Sequence, residues 1–377
     1  MVTAQESRAP SSAPSWVVLA AWLVANRVLL LLLGFVALSF YSRYVPAETW
    51  RALPSNLWLD GWLRWDAGWY MEIAGEGYQP VVTVGKQHNT AFFPLLPLLT
   101  AALGLFVRDL AVAGLLITNS ASIVASIVLF RLVKLRWGAT IAARTLLLLY
   151  SFPFSLYLSS YHTEPLFLCL AVCSFYYAER QSFWKAAFFA AAASATRNIG
   201  VLLFFGLGIA YLGSIRYDLR RLGWDSLFLL LCPLGLLLHM GFLWTRYGTP
   251  LQFVYSQAAP GWAGAALASA ERSVFDRQQL LSWGVGAVVY VFPAALLLWR
   301  ARRSIPASYL VWTAVMLLIS MSNPGSFGRF LVVIFPVFVA AAMLPLSRRA
   351  FAVLLGISTV LLSIATVHQA LGLWVAG

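Results

Sequence analysis

Apolar residues run through this chain in long blocks, broken at intervals by charges, glycine and proline. The blocks fall near 16–40, 110–133, 139–159, 163–179, 184–196, 199–215, 225–244, 281–299, 306–322, 329–346 and 350–374. About 20 apolar residues in a helix cross the hydrocarbon core of a bilayer. The eleven runs therefore predict an all-α polytopic membrane protein, with 1–377 as a single integral membrane domain. The first run, from Trp16 to Phe40, is too long for a signal-peptide core and has no small-residue cleavage site after it, so it reads as an uncleaved span. A further run, Ala91 to Val107, carries two prolines near its start and Arg108-Asp109 at its end, a pattern that suits an interfacial or re-entrant helix.

Composition agrees: 61% of the 377 residues are apolar and 10% are charged, far from the balance of a soluble domain. The net charge of +13 then bears on topology before partners. If 91–107 does not cross, one set of loops gathers Arg8, Arg131, Lys134, Arg136, Arg144, Arg180, Lys185, Arg216, Arg220, Arg221, Arg300, Arg302, Arg303, Arg348 and Arg349. These 15 cations face four acids, whereas the opposite set holds ten cations and nine acids. Cations in short loops mark the cytoplasmic side. The N-terminus is accordingly expected inside, the C-terminus outside, and 91–107 on the outer face. No basic cluster interleaved with aromatics suggests a nucleic-acid partner. Cys169, Cys173 and Cys232 all lie in apolar runs, where a thiol packs as a small hydrophobe.

This topology leaves one long outer loop, 41–109, with LWLDGWLRWDAGWYMEIAGEGYQP at its centre. Its indoles and phenols belong at headgroup level, and its acids serve as solvated anchors unless a neighbour gives them work. Asp66 has such neighbours. Trp65, Gly68 and Trp69 bring an indole and bare backbone near its carboxylate, which suits a general base acting on a hydroxyl beside a stacked sugar. Tyr70 completes this group.

Lys86 and His88, just before the Phe92-Phe93-Pro94 helix, are candidates for a lipid-linked phosphate, with a snorkelling lysine as the plain alternative. Ser159 to Pro165 supplies His162 and Glu164, the latter either a helix-start acid or a second ligand-binding carboxylate. Arg197-Asn198 interrupts two short runs, and Arg329 starts the tenth. Guanidiniums built into helix ends bind phosphate in a fork. No glycine-rich phosphate loop, HExxH or histidine spacing for a metal is present.

Arg64-Trp65-Asp66-Ala67-Gly68-Trp69-Tyr70, then Ala91-Phe92-Phe93-Pro94-Leu95-Leu96-Pro97, resembles the mannosyltransferases of the phosphatidylinositol-glycan class V type and their bacterial relatives. The resemblance continues through Tyr161-His162-Thr163-Glu164, Ala195 to Gly200, Tyr247 to Phe253 with Gln257 and Trp262, and Gly328-Arg329-Phe330. It implies a GT-C fold and a donor sugar, mannose, on a polyprenyl phosphate. It further implies a catalytic module, taken as 1–215 and followed by C-terminal helices in 216–377, in which the acid of the first outer loop acts. Asp66 matches that acid.

The expectation is thus an inverting glycosyltransferase with Asp66 as base. Arg329, Arg197, His88 and Lys86 face the donor phosphate, and Trp65, Trp69, Tyr70, His162, Glu164, Asn198 and Gln257 line the substrate site. The partners are the donor, a lipid or glycan acceptor, and membrane lipid. A monophosphate leaving group requires no cofactor, a divalent cation (Mg or Mn) at the outer carboxylates being the open alternative. The absence of Asn-x-Ser/Thr and the Ala/Leu/Arg-rich composition fit a bacterial plasma membrane, with the active site on its extracytoplasmic face. The rivals are a transporter or flippase for a lipid-linked sugar and a non-enzymatic assembly partner. Nothing on the inner face mirrors the outer constellation, which counts against alternating access.

Overall fold

The computed structural model describes residues 16–45, 51–80, 86–258, 284–321 and 326–373. Among them the secondary structure is helical, with no strand. Each of the eleven apolar runs contains helix. Four helices are individually long and apolar enough to cross a membrane: α1 (Trp16–Tyr41), α5 (Leu110–Ser151), α11 (Gly284–Ala301) and α15 (Arg348–Ala370). A bent pair, Trp224–Leu231 with α9 (Leu234–Tyr247), makes a fifth. The protein is a multi-pass membrane protein.

Several spans are shorter or more broken than an apolar run suggests, and the breaks have local causes. Runs 110–133 and 139–159 form α5, divided where Gly138 takes φ 82°, ψ 171°, a backbone that costs glycine least. The second limb ends at Ser151, and Pro153–Leu158 continues as a 3-10 turn. Past α6 (Glu164–Glu179), α7 (Phe183–Thr196) stops at the expected Arg197-Asn198 interruption. A 3-10 turn, Asn198–Leu202, then leads into α8 (Leu203–Ser214). The later helices are α10 (Gln252–Gln257), α12 (Ala307–Ser320), α13 (Phe327–Leu331) and α14 (Phe335–Ala342).

Between α1 and α5 lie α2 (Leu57–Asp60), α3 (Asp66–Glu76) and α4 (Leu95–Val107). Thirteen residues make α4 about 20 Å long at 1.5 Å per residue, short of the roughly 30 Å hydrocarbon core. Its Leu98, Leu105 and Phe106 are exposed while Leu96 and Thr100 are buried against α3 and α5. That one-sided apolar face is what an interfacial helix needs.

Helix α6 is the centre of the bundle, packed between α5 and α7 and buried along nearly its whole length. Its first residue, Glu164, and its last, Glu179, mark opposite ends of that helix. Cys169, Cys173 and Cys232 are buried free thiols, as their apolar setting implied. Helix α1 adds an unusual strut: Arg27, midway along it, donates to the Tyr150 and Ser155 carbonyls at 2.8 and 3.0 Å and to Ser159 Oγ at 2.9 Å. A guanidinium at this depth is tolerable because the broken end of α5 leaves carbonyls to receive it.

Candidate active site

Two loop segments meet at the start of α6. The Tyr161 amide donates to the Trp62 carbonyl at 3.0 Å, and the Tyr161 hydroxyl donates to Thr100 Oγ1 at 2.9 Å. Gly114 on α5 permits this seating, since a Cβ there would lie 2.5 Å from the Tyr161 ring. The contact brings Asp66, first residue of α3, beside Glu164, first residue of α6. Before Asp66 the backbone turns sharply, with Trp65 at φ 56°, ψ −116°, a strained conformation for a bulky residue, worth roughly 1–3 kcal/mol.

Arg329 links the two carboxylates. Its Nη2 lies 2.6 Å from Asp66 Oδ2 and 3.3 Å from Glu164 Oε2, and its Nε donates to Glu164 Oε1. Arg197 Nη1 donates to the same Glu164 oxygen and reaches Thr163 Oγ1 at 3.4 Å. Both guanidiniums also cover aromatic faces: Arg329 sits 5.0 Å from the Tyr157 ring centroid, and Arg197 sits 5.2 Å from that of Phe330. Two cations and two anions thus form one neutral cluster. Glu164 is fully buried, the arginines are 13% and 15% exposed, and Asp66 is 27% exposed. Asp66 is the member most open to an incoming hydroxyl.

The surroundings are buried and largely uncharged. Tyr70 is buried, its hydroxyl donating to Thr163 Oγ1 at 3.5 Å, and burial pushes that phenol above its ordinary range. His162 is buried with Nδ1 2.9 Å from Ser160 Oγ and Nε2 without a hydrogen bond. Burial first, and then the Arg329 charge, lower its pKa to about 4, so the ring is neutral at ordinary pH.

Asp66, Glu164, Arg197, Arg329, Tyr70 and His162 therefore come together. Other expected site residues stand aside. His88 is engaged within its own loop, Nδ1 with Thr90 Oγ1 at 3.0 Å and Nε2 with the Pro80 carbonyl at 3.3 Å. No hydrogen bond or ion pair joins it or the exposed Lys86 to the cluster. Gln257 donates to the Ala91 carbonyl at 3.1 Å, Asn198 Oδ1 accepts from the Ile199 amide at 2.8 Å, and the Trp69 ring stacks on Phe92. Trp262 lies outside the described residues. Tyr157, Thr163 and Phe330 enter the site without having been singled out in the sequence. The positions of Thr163 and Phe330, each next to a candidate, were the available signal for those two.

A divalent ion at Asp66 and Glu164 would have to displace Arg329 from both. Among the described residues no group of three carboxylates, imidazoles or thiols could hold a metal.

The apolar helices and the charged cluster at the start of α6 define a membrane-embedded helical protein with a buried ion-pair network. More particularly, the mannosyltransferase (PIG-V) family model matches residues 21–296, and the chain belongs to that family. No curated protein sequence matches it. Among solved structures it is similar to ArnT from Cupriavidus metallidurans in the apo state, with TM-score 0.48 and 16% identity, covering 88% of this chain and 61% of that one. It is similar also to the apo oligosaccharyltransferase of Archaeoglobus fulgidus, with TM-score 0.48 and 14% identity over 96% of this chain and 57% of that one. The chain thus spans about three-fifths of the length of these structures.

Proposed function

We propose that this protein moves a sugar, mannose, from a polyprenyl-phosphate carrier to a hydroxyl of a lipid or glycan acceptor. The reaction is placed at the extracytoplasmic face of a bacterial plasma membrane. The observation that carries the reading is Arg329 bridging the half-open Asp66 to the buried Glu164. An acceptor hydroxyl reaches Asp66, gives up its proton to that carboxylate and attacks the anomeric carbon. The bond from that carbon to the phosphate oxygen breaks, and the electron pair leaves on the phosphate. One displacement inverts the centre.

Arg329 and Arg197 suit the leaving phosphate because they converge from two different helix ends in a site with little water, where preorganised charge is worth more than in solution. Glu164 holds both guanidiniums in place and offsets their mutual repulsion. When the donor phosphate engages Arg329, the Asp66 salt bridge weakens and the carboxylate is released toward the acceptor hydroxyl. The neutral His162 and the protonated Tyr70 add no charge that competes with this exchange.

The test is transfer of labelled mannose from polyprenyl-phosphate mannose to a lipid extract by purified protein and its Asp66→Asn variant. Transfer by the parent and its loss in the folded variant are expected. Normal transfer by Asp66→Asn would remove Asp66 from the mechanism. Movement of intact donor across vesicles without sugar release would favour a flippase.

A further inference from the structure

One phenol at the site has no work inside the protein. Tyr157 lies in the 3-10 turn Pro153–Leu158 that follows α5, and only 3% of it is exposed. Its ring is held from two sides. The Arg329 guanidinium sits over it at 5.0 Å from the centroid, and the His162 ring stands T-shaped to it, with centroids 4.9 Å apart and planes at 74°. The backbone is fixed as well, because Arg27 donates to the Ser155 carbonyl at 3.0 Å and to Ser159 Oγ at 2.9 Å, two residues before Tyr157 and two after it.

All of these contacts belong to the ring and the chain, and phenylalanine would make every one of them. The hydroxyl remains to be explained. A buried tyrosine ordinarily spends its O–H on a partner, as the neighbouring ones do: Tyr70 on Thr163 Oγ1 at 3.5 Å, Tyr161 on Thr100 Oγ1 at 2.9 Å and Tyr150 on the Ser122 carbonyl at 2.9 Å. The Tyr157 hydroxyl has no hydrogen-bond partner among the described residues, and unlike His162 Nε2 it is not sealed inside the protein. The charges around it are those of Arg329, Glu164 and Asp66.

We propose that Tyr157 is a catalytic residue whose O–H donates a hydrogen bond to a non-bridging oxygen of the donor phosphate. This role rests on the glycosyl transfer proposed above and adds a neutral donor to the two guanidiniums. As the bond to the anomeric carbon breaks, charge gathers on the phosphate, and a donor already fixed in place binds more strongly as that charge grows. A phenol, with an ordinary pKa of about 10, keeps its proton near neutral pH throughout and brings no charge that Glu164 would have to offset.

Tyr157→Phe removes that one O–H and keeps the ring. The experiment compares the purified full chain with this variant in mannose transfer from polyprenyl-phosphate mannose, in thermal unfolding, and in the rise of unfolding temperature caused by polyprenyl phosphate, the released carrier. Without ligand the variant should unfold at the parent's temperature. Its turnover at saturating donor should fall about 10–100-fold, the worth of one hydrogen bond to a charged group, and about tenfold more polyprenyl phosphate should be needed for the same rise. Parent-like turnover, or an unchanged response to polyprenyl phosphate, would overturn the role. So would a lowered unfolding temperature without ligand, since the hydroxyl would then be spent inside the protein. If the parent transfers no mannose, the glycosyl transfer fails, and the response to polyprenyl phosphate alone decides whether Tyr157 meets a lipid phosphate. A parent that polyprenyl phosphate does not stabilise would sink both.

Discussion

Asp60 and Asp66 lie six residues apart in the loop between α1 and α5, both in salt bridges with arginine, and they differ in every respect that matters to chemistry. Asp60 is fully buried and saturated: Arg51 Nε at 2.8 Å and Arg64 Nη2 at 2.7 Å share Oδ2, and the Leu53 amide donates to Oδ1 at 3.1 Å. Arg64 is itself fully buried, and its Nε donates to the Ala370 carbonyl at 3.0 Å, which ties this loop to the end of α15. These partners outweigh burial and hold Asp60 below the ordinary carboxylate range. Asp66 has one arginine, shared with Glu164, and is partly open. A carboxylate with every lone pair engaged is a strut, while one held from a single side has capacity left for a substrate.

The sharpest way to break this contrast is to neutralise each acid in turn. Asp66→Asn keeps size and one hydrogen-bond acceptor but removes the base, so turnover should fall by about 10²–10⁴. Its unfolding temperature should stay close to the parent's, and a large drop would make Asp66 a strut like its neighbour. Asp60→Asn should do the reverse. It strands two guanidiniums, one of them fully buried, at a cost of roughly 3–5 kcal/mol, seen as a lowered unfolding temperature and poor recovery from membranes. Turnover per folded molecule should change little. If Asp60→Asn were as stable as the parent and inactive, the roles of the two acids would be exchanged.

The sequence distinguished these two acids only in part. Periodicity located all the helical runs, because apolar length is a property of the chain itself, and the indoles and glycine around Asp66 set it apart from the other outer acids. The partner of Asp66 was not legible. Arg329 lies far along the chain, and no spacing rule connects a residue on α3 with one on α13 through Glu164 on α6. Arg27 shows the same limit. An arginine inside a span announces that it has partners, but the carbonyls it meets exist because α5 breaks at Ser151, a tertiary outcome. His88 shows the same limit from another side: a histidine beside an apolar helix offers itself as a phosphate ligand, while its hydrogen-bond partners in the fold are local, Pro80 and Thr90. The breaks at Gly138 and Arg197 were legible because glycine and mid-run charge punctuate a helix locally.

The two arginines sharpen the comparison at a smaller scale. Arg329 touches both carboxylates, whereas Arg197 touches only Glu164 and Thr163. Loss of one charge-assisted hydrogen bond costs about 1.5–3 kcal/mol, or roughly 10–100-fold. Arg197→Gln should therefore weaken donor use by about that factor, chiefly in KM. Arg329→Gln should lower turnover as well, because it also leaves Asp66 unheld. Equal turnover by the two variants at saturating donor would mean that Arg329 does not govern Asp66.

The smallest effect expected concerns His162, which lies in the same field but is coupled to it only through space. Burial and Arg329, followed by Arg197, hold the folded ring near pKa 4 against 6.5 in the unfolded chain, with Asp66 and Glu164 pulling the other way. Between these values the unfolded chain binds a proton that the folded ring refuses. Stability is thus fully present above pH 6.5 and falls as the pH drops toward 4. His162→Gln removes the titration while a side-chain amide can still meet Ser160 Oγ, so its unfolding temperature should fall less than the parent's over this window, by a few degrees. Thermal melts of both proteins at several pH values from 7.5 to about 4.5 would show it. Parallel curves would mean that the unpartnered Nε2 is protonated or solvated in the folded protein, and the neutral His162 of the site would have to be abandoned.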